Sequence, residues 1–275
     1  MSAPLNATSH PTALRTTREG AVATVHLARP AVHNAFDEAL IADLTAAFTA
    51  LGADEGVRAI VLRGDGRSFS AGADLDWMRR AGENAFDQNV ADAGRLADML
   101  TAIRDCPRPV VARVHGAAMG GGVGLVAACD LAVAAAGTRF ALSEARLGLV
   151  PAVIAPFVLP RIGVAAAREL FLTGEAFGAE RALAIGLVAR VVAEDALDDA
   201  VAERVGALLA AAPGAQAAVK RLIRGVALDP AGARAFTTRL IAEVRASEEG
   251  RAGMAAFLER RPPPWAAAEA EGARG

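Results

Sequence analysis

Two glycine-bearing segments constrain this chain more than any other feature of it. They are Gly66-Arg-Ser-Phe-Ser-Ala-Gly-Ala-Asp-Leu-Asp-Trp-Met78 and His115-Gly-Ala-Ala-Met-Gly-Gly-Gly-Val-Gly-Leu-Val-Ala-Ala-Cys-Asp130. Each sets small residues where an apolar, strand-like run gives way to a helical pattern. The first N–H groups of a helix have no partner within it and carry the positive end of its dipole. Two such ends facing one another make a two-donor hole for an oxygen that gains negative charge during a reaction. If the fold brings the two strand-to-helix corners side by side, the expected use of such a pair is catalytic.

The rest of the chain reads as alternating strand and helix. Ala21 to Leu27 has strand character and ends at Arg29-Pro30, because proline cannot continue a ladder. Leu40, Leu44, Phe48 and Leu51 recur at helical spacing behind Asp37, an N-cap candidate. Ala59 to Leu62 is a short buried strand stopped by Gly64-Asp-Gly66, and a helix carrying Leu96, Met99, Leu100 and Ile103 ends before Pro107. Pro109 to Val114, Leu131 to Ala134 and Thr138 to Ala141 are further strands, with a brief apolar run at Leu187 to Val192. Strand and helix in alternation predict an α/β fold with crossover connections. From Leu197 onward the pattern is helical and closes on Arg260-Arg-Pro-Pro-Pro-Trp265. That tryptophan either meets another subunit or folds back on its own.

Composition excludes several classes. With 275 residues, 53% of them hydrophobic and 4% aromatic, the chain can bury one large core of Ala, Val and Leu. A formal net charge of -2 gives no general affinity for nucleic acid or anionic membrane. No apolar run is long enough to span a bilayer. Cys106 and Cys129 have neither CxxC spacing nor a His/Cys cluster beside them, so buried reduced thiols in a cytoplasmic protein are expected, with no metal. The polar, acid-poor start with Arg15 and Arg18 has a faint transit-peptide character, but no amphipathic stretch supports it and a disordered tail is expected.

Most catalytic motifs are absent. Gly122-x-Gly124-x-x-Ala127 matches a dinucleotide fingerprint in form, but Asp130 comes too early to reach a ribose. There is no Walker A run, no G-x-S-x-G and no HExxH. Ser68, Ser70 and Ser143 show no histidine and acid partners in sequence, and His115, ending a strand, reads as a core or rim residue. Asp74 reads first as a carboxylate holding the N–H groups of a helix start, and Asp130 as a strand-edge acid. Glu144 stands apart. It lies in the mostly apolar stretch Phe140-Ala-Leu-Ser-Glu-Ala-Arg-Leu-Gly-Leu-Val-Pro151, where burial would raise its pKa towards neutrality and suit it to carry protons. A salt bridge to Arg139 or Arg146 is the alternative.

Taken together, these residues resemble the enoyl-CoA hydratase/isomerase (crotonase) family over nearly the whole chain. Ala28-Arg-Pro-Ala-Val-His-Asn-Ala35 is similar to the family's N-R-P-x-x-x-N-A, with alanine for its first asparagine. Ser68-Phe-Ser-Ala-Gly-Ala-Asp-Leu75 matches F-x-A-G-x-D, and Gly116 to Gly122 matches G-x-x-x-G-G-G. Leu172-Thr-Gly174, Gly186-Leu-Val188 and Ala256-Phe-Leu-Glu-Arg-Arg-Pro262 match later landmarks. A closer likeness, through Gly120 to Asp130 and Leu142 to Ile154, is to a bacterial branch assigned to methylglutaconyl-CoA or isohexenylglutaconyl-CoA hydration in leucine and terpene breakdown.

The resemblance implies stacked strand-strand-helix turns over residues 14–200, after a tail at 1–13, and a helical oligomerisation segment at 201–275. Trimers, alone or paired into hexamers, are implied with it. It places the oxyanion hole at the backbone N–H groups of Ala73 and Gly121, holding the thioester carbonyl of an acyl-CoA. Ala71, Gly72, Asp74, Leu75, Gly120 and Gly124 are implied to line the substrate path. No cofactor is implied beyond the coenzyme A of the substrate itself. Of the two glutamates that hydratases of the family set on one water, the second falls on Glu144 and the first on Gly124, which has no side chain. Hydration of a branched or glutaconyl-type 2-enoyl-CoA by one glutamate is the expected activity. The alternatives are a Δ3,Δ2-enoyl-CoA isomerase and a silent acyl-CoA binder. Arg79, Arg80 or Arg146 could meet a second carboxylate on the acyl tail.

Overall fold

The computed structural model describes residues 13–228 and 231–266. The expected tail, residues 1–13, lies outside them but for Ala13.

In chain order the elements are β1 (Leu14–Glu19), β2 (Val22–Leu27), α1 (Glu38–Ala53), β3 (Ala59–Gly64), α2 (Leu75–Glu83), α3 (Phe86–Asp105), β4 (Val110–Val114), β5 (Ala117–Met119) and α4 (Gly121–Ala128). There follow β6 (Leu131–Ala135), β7 (Arg139–Ala141), α5 (Ala155–Thr173), β8 (Ala176–Gly178), α6 (Ala179–Ala184), β9 (Arg190–Val192), α7 (Leu197–Leu209), α8 (Pro213–Leu228), α9 (Ala233–Ala246) and α10 (Glu248–Leu258). One sheet runs β1-β2-β3-β4-β6-β9, parallel except for the β1–β2 hairpin. A second runs β5-β7-β8, and the parallel bridges Phe36–Ala73 and Ser70–Ala118 continue its pairing into earlier turns of the chain.

Each turn of the chain thus lays a strand in the first sheet, a shorter extended piece in the second, and a helix outside. This is the stacked β-β-α superhelix of the crotonase fold. The strands are Val- and Ala-rich because both faces of the parallel sheet are covered. On one face Val25, Leu62, Ala112 and Ala134 join α1, α3, α4 and α5 in the main core. On the other, Val61, Val111 and Val133 pack beneath Leu197, Val201 and Val205 of α7. Helix α7 therefore belongs to the core, and the boundary expected at residue 200 falls inside it.

Several local readings are met. Asp37 caps α1, accepting from the Leu40 N–H at 3.0 Å. Cys106 and Cys129 are buried and free, and burial pushes the Cys129 thiol up to about 12. Trp265 folds back on its own chain: its ring lies over Gly253 in α10, and its carbonyl accepts from Arg58 at 3.1 Å. The first strand was not expected. β1 has no apolar alternation, because as an exposed edge strand it faces no core on most of its length.

Candidate active site

The two glycine segments do meet. Ala73 is held extended from both sides: the Phe36 N–H donates to the Gly72 carbonyl at 2.8 Å, and the Asp74 N–H donates to the Phe36 carbonyl at 3.0 Å. In a parallel bridge of this kind the N–H of the opposed residue points away from its neighbour. No acceptor for the Ala73 N–H exists among the described residues. The second segment leaves β5, turns through Gly120 at φ 48°, a conformation that favours glycine, and starts α4 at Gly121. As the first residue of that helix, Gly121 has no carbonyl within the helix to bond, so its N–H is also free. Gly72 lies between the two. A Cβ there would stand 3.1 Å from the Gly121 nitrogen and 2.5 Å from the Met119 carbonyl oxygen, so only glycine permits this approach.

The capping residue Asp74 stabilises this corner. Its carboxylate accepts from Asp76 N–H at 2.9 Å and, more weakly, from Trp77 N–H at 3.4 Å, and it pairs with Arg29 at 3.1 Å. The carboxylate is thus engaged in holding α2 and the loop, as the N-cap reading has it. Of the other residues expected along the substrate path, Ala71 is exposed and donates its N–H to the His33 carbonyl. Leu75 is 78% exposed at the start of α2, an apolar rim beside the loop.

Glu144 joins the same place from a third element, a 3-10 turn at Glu144–Leu147 that follows β7. A Cβ built on Gly120 would lie 3.2 Å from the Glu144 Oε1, which sets the carboxylate against the turn that carries the Gly121 N–H. Oε2 is buried with no hydrogen-bond partner. Burial raises the pKa of this acid, opposed only by its own backbone N–H. The salt-bridge alternative fails. Arg146 turns away and donates to the Thr173 carbonyl at 2.8 Å, and among the described residues neither it nor Arg139 pairs with Glu144. A half-buried carboxylate without a cation, beside two unpaired N–H groups, has the chemistry that an acid-base centre with an oxyanion site requires.

Gly124 is different from what the motif suggests. It faces the inside of the protein: a Cβ there would stand 2.5 Å from Ile154 Cγ2 and 3.0 Å from Ile154 Cβ, with Leu100 Cδ1 at 3.6 Å. Ile154 is itself buried, at 3% exposure. The space a side chain would use at 124 is filled by an isoleucine. This contact joins residues thirty positions apart and had no signal in the sequence.

The remaining candidates are structural. His115 Nε2 bonds the Gly66 carbonyl at 2.8 Å, as a rim histidine does. Ser68 does find a histidine, His33 Nδ1 at 3.1 Å, but among the described residues no carboxylate completes a triad. Asp130 is raised by burial against the pull of Lys220, which pairs with it at 2.6 Å and ties α8 to the sheet. Among the described residues no group of His, Cys, Asp and Glu could hold a metal ion, and no helix is long and apolar enough to cross a membrane.

Comparison with known proteins identifies the family. The family model for enoyl-CoA hydratase/isomerase matches residues 17–268. An enoyl-CoA hydratase of Shewanella pealeana superimposes with a TM-score of 0.88 at 39% identity, covering 92% of this chain and 96% of that one. One from Mycobacterium smegmatis does so at 0.87 and 39%, covering 93% and 99%. An enoyl-CoA hydratase/isomerase from Marinobacter aquaeolei does so at 0.87 and 33%, covering 92% and 99%. The match spans the loop of Ala73, the turn of Gly121 and the acid at 144 together, and the chain belongs to the enoyl-CoA hydratase/isomerase (crotonase) family.

Proposed function

We propose that this protein hydrates a 2-enoyl-CoA thioester with Glu144 as its single catalytic carboxylate. The observation that carries the reading is the buried, unpaired Oε2 of Glu144 beside two N–H groups without acceptors. The thioester carbonyl lies between the Ala73 and Gly121 N–H groups. Glu144 takes a proton from water as the water oxygen bonds the β-carbon and the C=C electrons move towards the carbonyl. The two N–H groups hold the resulting enolate oxygen, and the carboxylic acid so formed returns its proton to the α-carbon. Water is added in full, and Glu144 ends ionised. Each donor contributes about 3–4 kcal/mol to such a transition state. The loop Ala71-Gly72-Ala73 and the rim residue Leu75 border the path of the coenzyme A moiety, and no cofactor is needed beyond it.

Ile154 supports a one-acid centre, since it fills the place where a second carboxylate on α4 would stand. A glutaconyl-type acyl group, with its own distal carboxylate, fits the cations available. Arg79 and Arg80 are paired with Asp76 and Glu38, whereas Arg146, two residues beyond Glu144, bonds only a carbonyl. Of the three, Arg146 is the one without a carboxylate partner, and it would have to leave the Thr173 carbonyl to meet the acyl tail.

The second reading is a Δ3,Δ2-enoyl-CoA isomerase, in which Glu144 moves a proton from C2 to C4. The same single acid favours it. Assembly as a trimer or a pair of trimers belongs to the proposal. An apolar groove of about 430 Å³ between α8 and α9, with Val219 and Ile241 exposed at its edge, is surface that a second copy would cover. Two buried free thiols suit a reducing, cytoplasmic compartment.

Purified protein assayed on crotonyl-CoA, a 3-enoyl-CoA and 3-methylglutaconyl-CoA tests the reading. Loss of the conjugated-thioester absorbance is the expected result, fastest with the glutaconyl substrate. A gain of that absorbance from the 3-enoyl substrate alone favours the isomerase. No change with any of them leaves only an acyl-CoA binder.

A further inference from the structure

One buried aromatic residue touches both arms of the oxyanion site. Phe36, 1% exposed, bonds through its own backbone to the residues on either side of Ala73, at 2.8 Å to Gly72 and 3.0 Å to Asp74. Its ring reaches the other arm. A methyl group on Gly121 would overlap Phe36 Cζ and stand 3.1 Å from both Cε atoms, so the tip of the ring abuts the Gly121 α-carbon. The ring is held in place by Trp77 of α2, 6.3 Å away centroid to centroid and tilted by 56°. The backbone of Phe36 therefore fixes one donor while its side chain fixes the other.

We propose that Phe36 is the positioning residue that sets the separation and aim of the Ala73 and Gly121 N–H groups. The inference rests on the reading of those two groups as the oxyanion hole. It follows from the rigidity of a close-packed interior: a shift of a few tenths of an ångström in the ring moves the start of α4 relative to the Ala73 strand. Misplacement of a donor affects the transition state more than the bound substrate, because the enolate oxygen makes the shorter, stronger bonds. Loss of the ring should thus lower kcat and leave coenzyme A binding intact.

The test uses Phe36→Leu, which keeps the backbone bonds and removes the ring tip, and Phe36→Tyr, which directs a hydroxyl at Gly121. A chromophoric aryl-substituted 2-enoyl-CoA is the probe, since its absorbance moves to longer wavelength as its carbonyl is polarised. For both variants the expected result is a fall in kcat of about 10-fold, part of what a whole donor contributes, with KM within about twofold. The red shift of the bound probe should shrink in step. Wild-type kcat and an undiminished red shift in both variants would overturn the role of Phe36 alone. A wild-type protein that binds the probe with no red shift would instead overturn the oxyanion reading beneath it. Folding supplies an independent arm: Gly121→Ala should lower the melting temperature in the wild-type background and be tolerated in the Phe36→Leu background. Equal effects in both backgrounds would show that the ring does not abut Gly121, and would overturn the proposal.

Discussion

Restoring the family's first glutamate, by Gly124→Glu, tests whether the chain has merely lost an acid or has been rebuilt around its absence. The geometry predicts the second. The new Cβ would enter at 2.5 Å from Ile154 Cγ2, and the rest of the side chain would have to displace Ile154 or Leu100. Overpacking of this kind costs about 1–3 kcal/mol. Placing a carboxyl against apolar walls adds about 1–3 kcal/mol for its unmet hydrogen bonds, and removing glycine from a helix interior returns about 1 kcal/mol. The net loss is about 1–5 kcal/mol, or about 2–4 °C in melting temperature for each kcal/mol in a chain of this size. Ile154→Ala alone should cost about 2–5 kcal/mol by leaving a cavity. Together the two changes should fall short of additivity by about 2 kcal/mol, because each relieves the other. Thermal unfolding of the four proteins, followed by crotonyl-CoA hydration at one temperature below all transitions, reads the cycle. Hydration should rise in the double variant and not in Gly124→Glu alone. A Gly124→Glu protein with the wild-type melting temperature would refute the packing argument, and strict additivity would refute the coupling to Ile154.

Three further outcomes follow from the structure. Glu144 has a pKa raised by burial above its ordinary 4.5, so its carboxyl group contributes stability while protonated and loses it as pH rises through the folded-state value. Glu144→Gln should accordingly melt no lower than wild type at pH 8, with the difference between them narrowing towards pH 4; a difference that grows in acid would contradict the assigned direction. Asp74→Ala removes an N-cap worth about 1 kcal/mol and frees the Ala73 loop from Arg29, so kcat should fall by more than KM rises, and an unchanged kcat would show that the cap does not position the donor. Lys220→Met strands the Asp130 carboxylate and should cost about 1–3 kcal/mol, recovered in part by adding Asp130→Asn; chemical denaturation of the three proteins measures it.

What could be read from the sequence was local. Asp37 and Asp74 announced the starts of α1 and α2 because a capping carboxylate and the helix it serves are neighbours in the chain. The two strand-to-helix corners were legible as runs of small residues, while Ala73 and Gly121 as their donors came from the family resemblance. Glu144 showed itself as an acid in apolar surroundings. The pairing of these three was not legible without the family resemblance, since it depends on how successive turns stack. β1 is not legible because an exposed edge strand carries no hydrophobic period, and β5 because its three residues sit inside a glycine-rich run that reads as a turn. The contacts of Phe36 with Gly121 and of Ile154 with Gly124 are purely tertiary. They join residues that no spacing rule connects, and they decide how the two glycine positions behave.

The central claim is that one buried carboxylate moves the protons of this reaction. Steady-state turnover of Glu144→Gln on the best substrate of the enoyl-CoA panel tests it most directly, because the amide keeps the shape of the acid and cannot take a proton at neutral pH. The account predicts a fall in kcat of at least about 10²-fold, with the substrate still bound and the melting temperature undiminished. Turnover within a few-fold of wild type would contradict it and return the chemistry to another residue.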